Sequence, residues 1–233
     1  MIIDGGPNNK VLTKVDNEMN SFNKDIDVMI ATHADADHVT GLIPVLEKYN
    51  VKNIVESPVA GKTNIFNDLE NHIDDEVKGG ASKYVGEEGD LIDFHDGVTA
   101  RVLYPATNYK DDGKTNEASV SVLLTYLDKS FLLTGDLPTT REGKLIESDY
   151  LPKDITVYKA GHHGSKTSSG EQLLSYIHPY YAIISAGKDN RYGHPNEETI
   201  NRFQKYANVI LSTIESGDIS FVIGKDFRFE TGK

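Results

Sequence analysis

The chain has 233 residues, and its 24 Lys+Arg against 36 Asp+Glu give a net charge of −12. This acidic balance argues against a surface that grips long polyanions through many basic contacts, but it leaves room for a nucleic-acid substrate held locally through metal ions. Because the chain has no cysteine, disulfides and thiolate metal sites are excluded. No apolar run approaches the roughly 20 residues of a membrane span, and residues 1–9 do not resemble a signal peptide. We therefore expect a cytoplasmic protein, with a mature secreted form as the alternative.

Short apolar strands alternate with stretches of helical spacing along the chain. The first third predicts strands at 1–3, 26–32 and 51–57 and helices at 38–50 and 63–77. Four strands joined by turns follow at 89–94, 98–104, 118–127 and 130–136, which indicates a more antiparallel region. Beyond them, helices are predicted at 139–148, 169–178 and 195–206, and strands at 154–160, 180–187, 208–213, 218–224 and 227–230. No repeat or Pro/Gly-rich linker divides the chain, so we expect one α/β domain over residues 1–233.

Three of the predicted helix starts carry local signals. Thr139 with Glu142, and Ser168 with Glu171, have the three-residue spacing of a capping box. Pro195 occupies an expected first helical position.

The segment His33-Ala-Asp35-Ala-Asp37-His38 directly follows a predicted strand. Two histidines and two aspartates in six residues are rarely needed to cap a helix, so this cluster favours metal binding over a structural role. In an extended loop, alternate residues point the same way, which lets the first three of these polar groups face one pocket.

Four further candidates also follow predicted strands, namely Asp4, Asp136, His162 and His163. Active groups in α/β folds tend to lie at the carboxyl ends of strands. Taken singly, each has an ordinary explanation, because Asp before Gly-Gly forms turns, Asp136 is a possible helix cap, and a His pair before Gly suits a polar turn.

Of the other histidines, His72, His95 and His178 sit in ordinary helix or turn settings and are expected to be structural. His194 is evenly balanced between a position before a helix and a functional one. Carboxylate and imidazole ligands suit zinc, manganese or iron, and two ions would need about six to eight ligands.

The order of the segments IDGG, THADADH, LLTGD and HHGS resembles the metallo-β-lactamase superfamily. Within it, the chain is most similar to the hydrolase domain of ComEC-type DNA-uptake proteins and their free-standing soluble relatives. The resemblance implies an αββα sandwich of two mixed β-sheets flanked by helices. Because IDGG begins at residue 3, it also implies that the family's usual first strands are missing.

The resemblance also implies roles for the candidate residues. His33 and Asp35 would serve a first metal, and Asp37, His38 and one of His162 and His163 a second, with Asp136 bridging. Asp4 would support the ligands. Asn116, Ser119 and His194 are further candidates near the site or the substrate. Just beyond the histidine pair, Ser165, Lys166, Thr167 and Ser168 offer hydrogen-bond donors for an anionic group, with a polar turn and helix cap as the alternative.

Asp35 stands where the superfamily usually has a histidine, and Asn116 and Ser119 occupy the region of its third-motif histidine. This makes the first metal site richer in oxygen, so manganese is as plausible as zinc for the one or two divalent ions.

The implied reaction is hydrolysis by a metal-activated water, with Asp37 and His162 as catalytic residues. A phosphodiester is the first choice of substrate, with DNA or a nucleotide as candidates. Two alternatives are a carboxyl-ester, lactone or amide hydrolase and a non-catalytic metal-binding module that senses a ligand.

Overall fold

The computed structural model describes residues 1–19, 23–111 and 113–232. The chain forms two compact units. Unit 1 comprises Met1–Asp90 and Tyr104–Ser121, and unit 2 comprises Leu91–Leu103 and Val122–Lys233. That residues 1–233 form one domain stays a prediction.

Unit 1 is built on a four-stranded sheet with the order β1-β2-β3-β4, whose described pairings are all parallel. The strands are β1 (Ile2–Ile3), β2 (Asp25–Ala31), β3 (Asn50–Glu56) and β4 (Ser82–Val85). The helices are α1 (Lys10–Glu18), α2 (Ala36–Val39), α3 (Leu42–Leu46) and α4 (Asn64–Gly79). The sheet is thus parallel rather than mixed as the sequence predicts, and such sheets carry buried apolar strands like the second half of β2.

The core of unit 1 joins the apolar face of the sheet to the helices. Met29 and Ile54 from the sheet pack with Leu42, Leu69 and Ile73 from the helices, and all five are buried. Residues of α1 complete this cluster, although no helix is predicted there.

The helix predicted at 38–50 is divided into α2 and α3. The division falls at Thr40-Gly41, where Gly41 lies against Gly5 so closely that a Cβ on Gly41 would be 2.0 Å from the Gly5 carbonyl oxygen. The break between α2 and α3 therefore depends on a contact with a distant part of the chain, which the spacing of apolar residues within 38–50 does not indicate.

Unit 2 contains a seven-stranded sheet with the order β11-β10-β9-β8-β7-β6-β5. Strands β8 to β11 are parallel, whereas β7–β8 and β5–β6 are antiparallel, so this sheet is mixed as predicted. The strands are β5 (Leu91–Asp93), β6 (Val98–Tyr104), β7 (Ser121–Tyr126), β8 (Lys129–Leu133), β9 (Val157–Lys159), β10 (Tyr181–Ile184) and β11 (Val209–Ser212).

The other elements in the described part of unit 2 are four α-helices, a 3-10 turn (Gly161–Gly164) and a hairpin. The helices are α5 (Thr139–Glu147), α6 (Glu171–Ile177), α7 (Glu197–Tyr206) and α8 (Thr213–Ser216), and β12 (Ile219–Ile223) pairs antiparallel with β13 (Phe227–Thr231). Tyr158 and Phe203 are fully buried in this unit, with ring centroids 6.1 Å apart.

The helix-start predictions in unit 2 are wrong in detail. Helix α5 begins at Thr139 without a side-chain cap, because Glu142 accepts hydrogen bonds from the backbone N–H groups of Ser169 and Gly170. Helix α6 begins at Glu171 after Gly170, and Ser168 donates to the Leu137 carbonyl instead of capping it. Helix α7 begins at Glu197, two residues after Pro195.

The predicted α/β class, with more than one sheet and flanking helices, is confirmed. In the described parts of the chain, no helix combines the length and the apolar character needed to cross a membrane. The ends of β1, β2, β8 and β9 lead directly into the polar segments that carry the candidate ligands.

Candidate metal centre

In unit 1, parallel pairing brings two polar segments together. Ile3 of β1 is aligned with Ile30 of β2, and the Asp4 N–H donates to the Ile30 carbonyl at 2.9 Å. Asp4 adopts a left-handed backbone with φ of 57°, which turns the chain just after β1. Its carboxylate therefore lies beside Thr32 and His33, which follow β2 directly.

The Asp4 carboxylate accepts three hydrogen bonds. One oxygen accepts from the Thr32 N–H at 2.8 Å, and the other accepts from the Thr32 hydroxyl at 2.8 Å and lies 2.7 Å from His38 Nδ1. Burial alone would raise the pKa of Asp4, but attraction to His38 and these hydrogen bonds outweigh it and lower the pKa below its ordinary value. Asp4 is therefore a carboxylate that acts as an acceptor.

This network sets the tautomers of two histidines. Since a carboxylate cannot donate, His38 must carry its proton on Nδ1. The Thr32 hydroxyl gives its hydrogen to Asp4, so its oxygen accepts from His33 Nδ1, 3.0 Å away. In the neutral rings, both Nε2 atoms then keep the lone pair that a metal ion requires.

The two rings are close together and buried. Their centroids lie 4.1 Å apart at an interplanar angle of 54°, and one ring nitrogen of His33 lies within 4.8 Å of one of His38. A carboxylate oxygen of Asp37, in the first turn of α2, is also within 4.8 Å of a His38 ring nitrogen. Three predicted ligands are thus gathered in unit 1.

Asp35 joins this group at its exposed side. Its side chain is 41% exposed, and one carboxylate oxygen lies 4.0 Å from His33 Nε2. The other oxygen accepts a hydrogen bond of 2.7 Å from the Thr115 hydroxyl. Thr115 comes from a distant loop, and neither composition nor spacing singles it out.

Two predicted neighbours of the site follow Thr115 in the chain. Asn116 is half-buried at the start of a 3-10 turn, and Ser119 is fully buried. The Val120 N–H donates to the Thr32 carbonyl at 2.8 Å, which joins this loop to the end of β2. Asn116 is therefore better placed than Ser119 to meet solvent.

In unit 2, Asp136 and His162 come together. Asp136 is buried three residues after β8, and His162 Nε2 lies 3.4 Å from its carboxylate. The His162 N–H donates to the Gly135 carbonyl at 3.1 Å. The ring of His162 is 30% exposed, so it remains accessible from solvent.

The adjacent His163 is oriented by the main chain. Its Nδ1 lies 2.9 Å from the carbonyl oxygen of Ser185, so Nδ1 donates and the Nε2 atom of the neutral ring keeps its lone pair. Both histidines have positive φ, 48° for His162 and 54° for His163, a conformation that is uncommon outside glycine. This backbone turns two successive rings in different directions.

The polar residues after the histidine pair divide into two kinds. Ser165 is buried, with its hydroxyl 2.9 Å from that of Thr167, and Ser168 is fully buried with its hydroxyl on a carbonyl. Lys166 and Thr167 are exposed. Of the four predicted anion contacts, these last two face solvent.

His194 lies beside His162. Their ring centroids are 5.4 Å apart, and the His194 ring is stacked on Tyr192 at 5.9 Å. His72, His95 and His178 each lie near a surface carboxylate, in keeping with the structural roles expected of them.

In each unit, the residues present are of the types that bind a divalent metal. In unit 1, His33 and His38, each with Nδ1 held by an oxygen atom, lie with the carboxylates of Asp35 and Asp37, and these are donors that suit zinc, manganese or iron. The oriented Nδ1 atoms are the support that metal-ligating histidines usually have.

Comparison with known proteins gives a consistent result. The family model of the metallo-β-lactamase superfamily matches residues 1–105. ComE operon protein 3 of Bacillus subtilis is 32% identical over 85% of this chain and 25% of its own length. Recombination protein 2 of Haemophilus influenzae is 32% identical over 83% of this chain and 22% of its own length. The chain thus spans about a quarter of the length of the curated relatives it matches.

Among solved structures, a variant of the β-hydroxylase CmlA from Streptomyces venezuelae superposes with a TM-score of 0.50. It is 12% identical and covers 82% of this chain and 44% of its own. This similarity concerns the fold alone.

Proposed function

We propose that the chain is a metal-dependent phosphodiesterase of the metallo-β-lactamase superfamily, whose family model matches residues 1–105, and that it acts on nucleic acid or a nucleotide. The family match over residues 1–105 supports a hydrolase, and the residues indicate divalent-metal binding. The substrate class is the proposal.

One observation supports the metal-binding part of this proposal above all others. His33, His38 and His163 each have Nδ1 within 3.0 Å of an oxygen atom, so that each neutral ring offers Nε2. This arrangement alone does not identify a ligand, because His72 Nδ1 also lies 2.9 Å from the Asp68 carbonyl oxygen. His33 and His38 combine it with burial and with ring nitrogens within 4.8 Å of each other, as metal ligands commonly do.

We assign the ligands of one or two divalent ions, zinc or manganese, on this basis. In unit 1 the proposed ligands are His33, Asp35, Asp37 and His38, and in unit 2 they are Asp136 and His163. A divalent ion bound there would lower the pKa of water and offset negative charge on the substrate's oxygens. The preference for His163 over His162 rests on the hydrogen bond to Ser185, which fixes its ring.

The remaining side chains have tasks of their own. Asp37, half-buried beside His38, accepts the proton of the attacking water. His162, whose ring is accessible and lies 3.4 Å from the Asp136 carboxylate, donates a hydrogen bond to a phosphoryl oxygen of the substrate. Asp4 and Thr32 hold the rings of His33 and His38 in position.

Nucleic acid is favoured as substrate by two considerations. One of the relatives, Recombination protein 2, is named for a process of DNA. Replacement of a histidine by Asp35 makes the donor set oxygen-rich, which suits manganese, an ion well suited to oxygen-rich phosphate substrates.

The direct test uses two chromogenic substrates. The protein is stripped with a chelator, reloaded with Mn²⁺ or Zn²⁺, and assayed with bis-p-nitrophenyl phosphate and with p-nitrophenyl acetate. We expect metal-dependent hydrolysis of the phosphodiester and little hydrolysis of the ester. The reverse preference would establish a carboxyl-ester hydrolase. Bound metal without turnover of either substrate would indicate the non-catalytic binding module.

A further inference from the structure

A ladder of rings in unit 2 leads from His162 to the surface. The centroids of His162 and His194 are 5.4 Å apart, edge to face, and His194 is stacked on Tyr192 at 5.9 Å with an interplanar angle of 21°. Tyr192 is thus two ring contacts from the histidine that the proposed function assigns to the substrate.

Tyr192 ends this ladder in the open. The residue is 55% exposed, so a large part of its ring faces solvent. The Arg191 guanidinium lies 4.8 Å from the ring centroid and donates to the Tyr192 hydroxyl at 2.6 Å. The exposed part of the ring is suited to a planar π ligand, and the cation close to it is suited to a negatively charged group of the same ligand.

Hydrogen bonds of the Asn190 side chain hold the loop that carries Tyr192 and His194 in one conformation. Asn190 accepts a hydrogen bond from the His194 N–H at 2.9 Å and donates to the His194 carbonyl at 2.6 Å and the Gly187 carbonyl at 2.8 Å. A ring presented by such a loop loses little freedom when a ligand stacks on it, which favours binding.

The net charge of −12 bears on which ligand is favoured. A nucleic acid bound mainly through its phosphates needs an extended basic surface, which an acidic chain is poorly suited to provide. Stacking on an aromatic ring is tolerant of sequence and requires no net positive charge. A base and a neighbouring phosphate are therefore a chemical match to Tyr192 and Arg191.

We propose that Tyr192 is a stacking platform for a nucleobase next to the cleaved phosphodiester, and that Arg191 contacts the adjacent phosphate. The substrate class is single-stranded nucleic acid, because bases in a duplex are already stacked and paired. This inference rests on the proposed phosphodiesterase function and assigns a specificity-determining residue to it.

The test measures binding without added metal, so that it does not depend on turnover. Fluorescence anisotropy compares a short oligothymidylate with an abasic strand of the same length and charge. The wild-type protein should bind the oligothymidylate more tightly. Tyr192→Ala should weaken that binding about tenfold and leave the abasic strand unchanged, whereas Tyr192→Phe should retain most of the preference.

A matched control is available in the same unit. Tyr150 is 43% exposed and has the Arg101 guanidinium 4.3 Å from its ring centroid, so it reproduces the arginine–tyrosine pair without the histidines. Tyr150→Ala should leave both affinities unchanged. With the metal-loaded enzyme, Tyr192→Ala should raise KM for the oligonucleotide and leave kcat nearly unaltered.

Two results would overturn the platform. One is a wild-type protein that does not prefer the oligothymidylate to the abasic strand, and the other is a Tyr192→Ala variant that keeps the preference. Hydrolysis of bis-p-nitrophenyl phosphate by the wild type would in either case leave the phosphodiesterase proposal standing, so the two failures are distinguishable.

Discussion

The candidate ligands of unit 1 and of unit 2 are held by different means. In unit 1, a side chain, the Asp4 carboxylate, contacts His38 directly and His33 through the Thr32 hydroxyl. In unit 2, the ring of His163 is held by the backbone carbonyl of Ser185. One substitution, at Asp4, would therefore remove the group that orients both histidines of unit 1. The carbonyl that orients His163 belongs to the main chain, so replacing the Ser185 side chain would not remove it.

The accessibility of the two groups also differs. His33 and His38 are buried, while His162 is 30% exposed and leads through His194 to the surface. The two histidines of unit 1 are buried, whereas His162 of unit 2 is accessible from solvent, so substitutions can probe the two units separately.

The largest effect is expected from Asp37→Asn. If Asp37 accepts the proton of the attacking water, its loss should lower kcat for bis-p-nitrophenyl phosphate about 10²–10⁴-fold with the fold intact by circular dichroism. His72→Ala is the control and should be nearly as active as wild type, since the His72 ring bonds to its own helix at the Asp68 carbonyl. Near-normal rates in Asp37→Asn would refute the role of this carboxylate.

Asp4→Asn tests the comparison itself. An amide has one acceptor oxygen where the carboxylate accepts three hydrogen bonds, so the orientation of His38 and His33 should weaken. We expect metal affinity, measured by calorimetry, to fall about 10–100-fold. The matched variant in unit 2, Ser185→Ala, keeps its carbonyl and should keep wild-type affinity. Equal losses in both variants would contradict the distinction between the two units.

A smaller effect, on stability, is expected from Glu142→Gln. Glu142 is buried and accepts backbone hydrogen bonds from Ser169 at 2.5 Å and Gly170 at 2.8 Å, which hold the loop that follows the histidine pair. The side-chain NH2 group of a glutamine would face one of these two backbone N–H groups, which would then lose its acceptor. The free energy of unfolding in urea should therefore fall by about 1–3 kcal/mol. Glu147→Gln, at an exposed site on the same helix, should change it little. An unchanged midpoint in Glu142→Gln would contradict this role.

The mildest effect concerns the dependence of stability on pH. Burial, followed by the neighbouring Glu70, raises the pKa of Glu56 to about 8, although Lys83 lies 2.6 Å from it. The folded state therefore retains a proton that the unfolded state releases above an ordinary glutamate pKa. The corresponding stability is present in acid and is lost as the pH rises through about 8.

Glu56→Gln mimics the protonated form and should flatten this decline. The measurement is denaturant unfolding at several pH values between the ordinary glutamate pKa and the raised one. Some slope should remain, because burial also raises the pKa of Glu142 to about 7. A wild-type protein whose stability rises steadily over this range would show that Glu56 is ionised when folded.

Much of the fold could be predicted because the spacing of apolar residues along the sequence indicates the strands and helices. The buried strand β2 and the helix α4 lie close to the predicted ranges, as their apolar spacing is clear. Helix α1 is not predicted, although Val11, Leu12 and Val15 have helical spacing and pack on the core. The exposed strand β4 was not predictable in the same way, since it buries none of its residues and is placed by its pairing with β3.

The candidate site shows the same limit. Metal-binding residue types placed after strands are visible in the sequence, and His33, Asp37 and His38 do lie together in unit 1. The groups that orient or extend the site are not visible, because a Thr115 hydroxyl or a Ser185 carbonyl becomes informative when the chain is folded. Glu142 shows the opposite error, since a local capping pattern was overridden by two distant N–H groups.

The close approach of Gly5 to Gly41 has a consequence for tolerance to mutation. At that point two segments meet main chain to main chain, and a single added methyl group would force them apart. Gly5 directly follows Asp4, whose carboxylate lies 2.7 Å from His38 Nδ1, and Gly41 follows helix α2, which carries His38. We therefore expect metal binding to be highly sensitive to a substitution at Gly5 or Gly41, although neither glycine is a ligand or has a charge or a side chain.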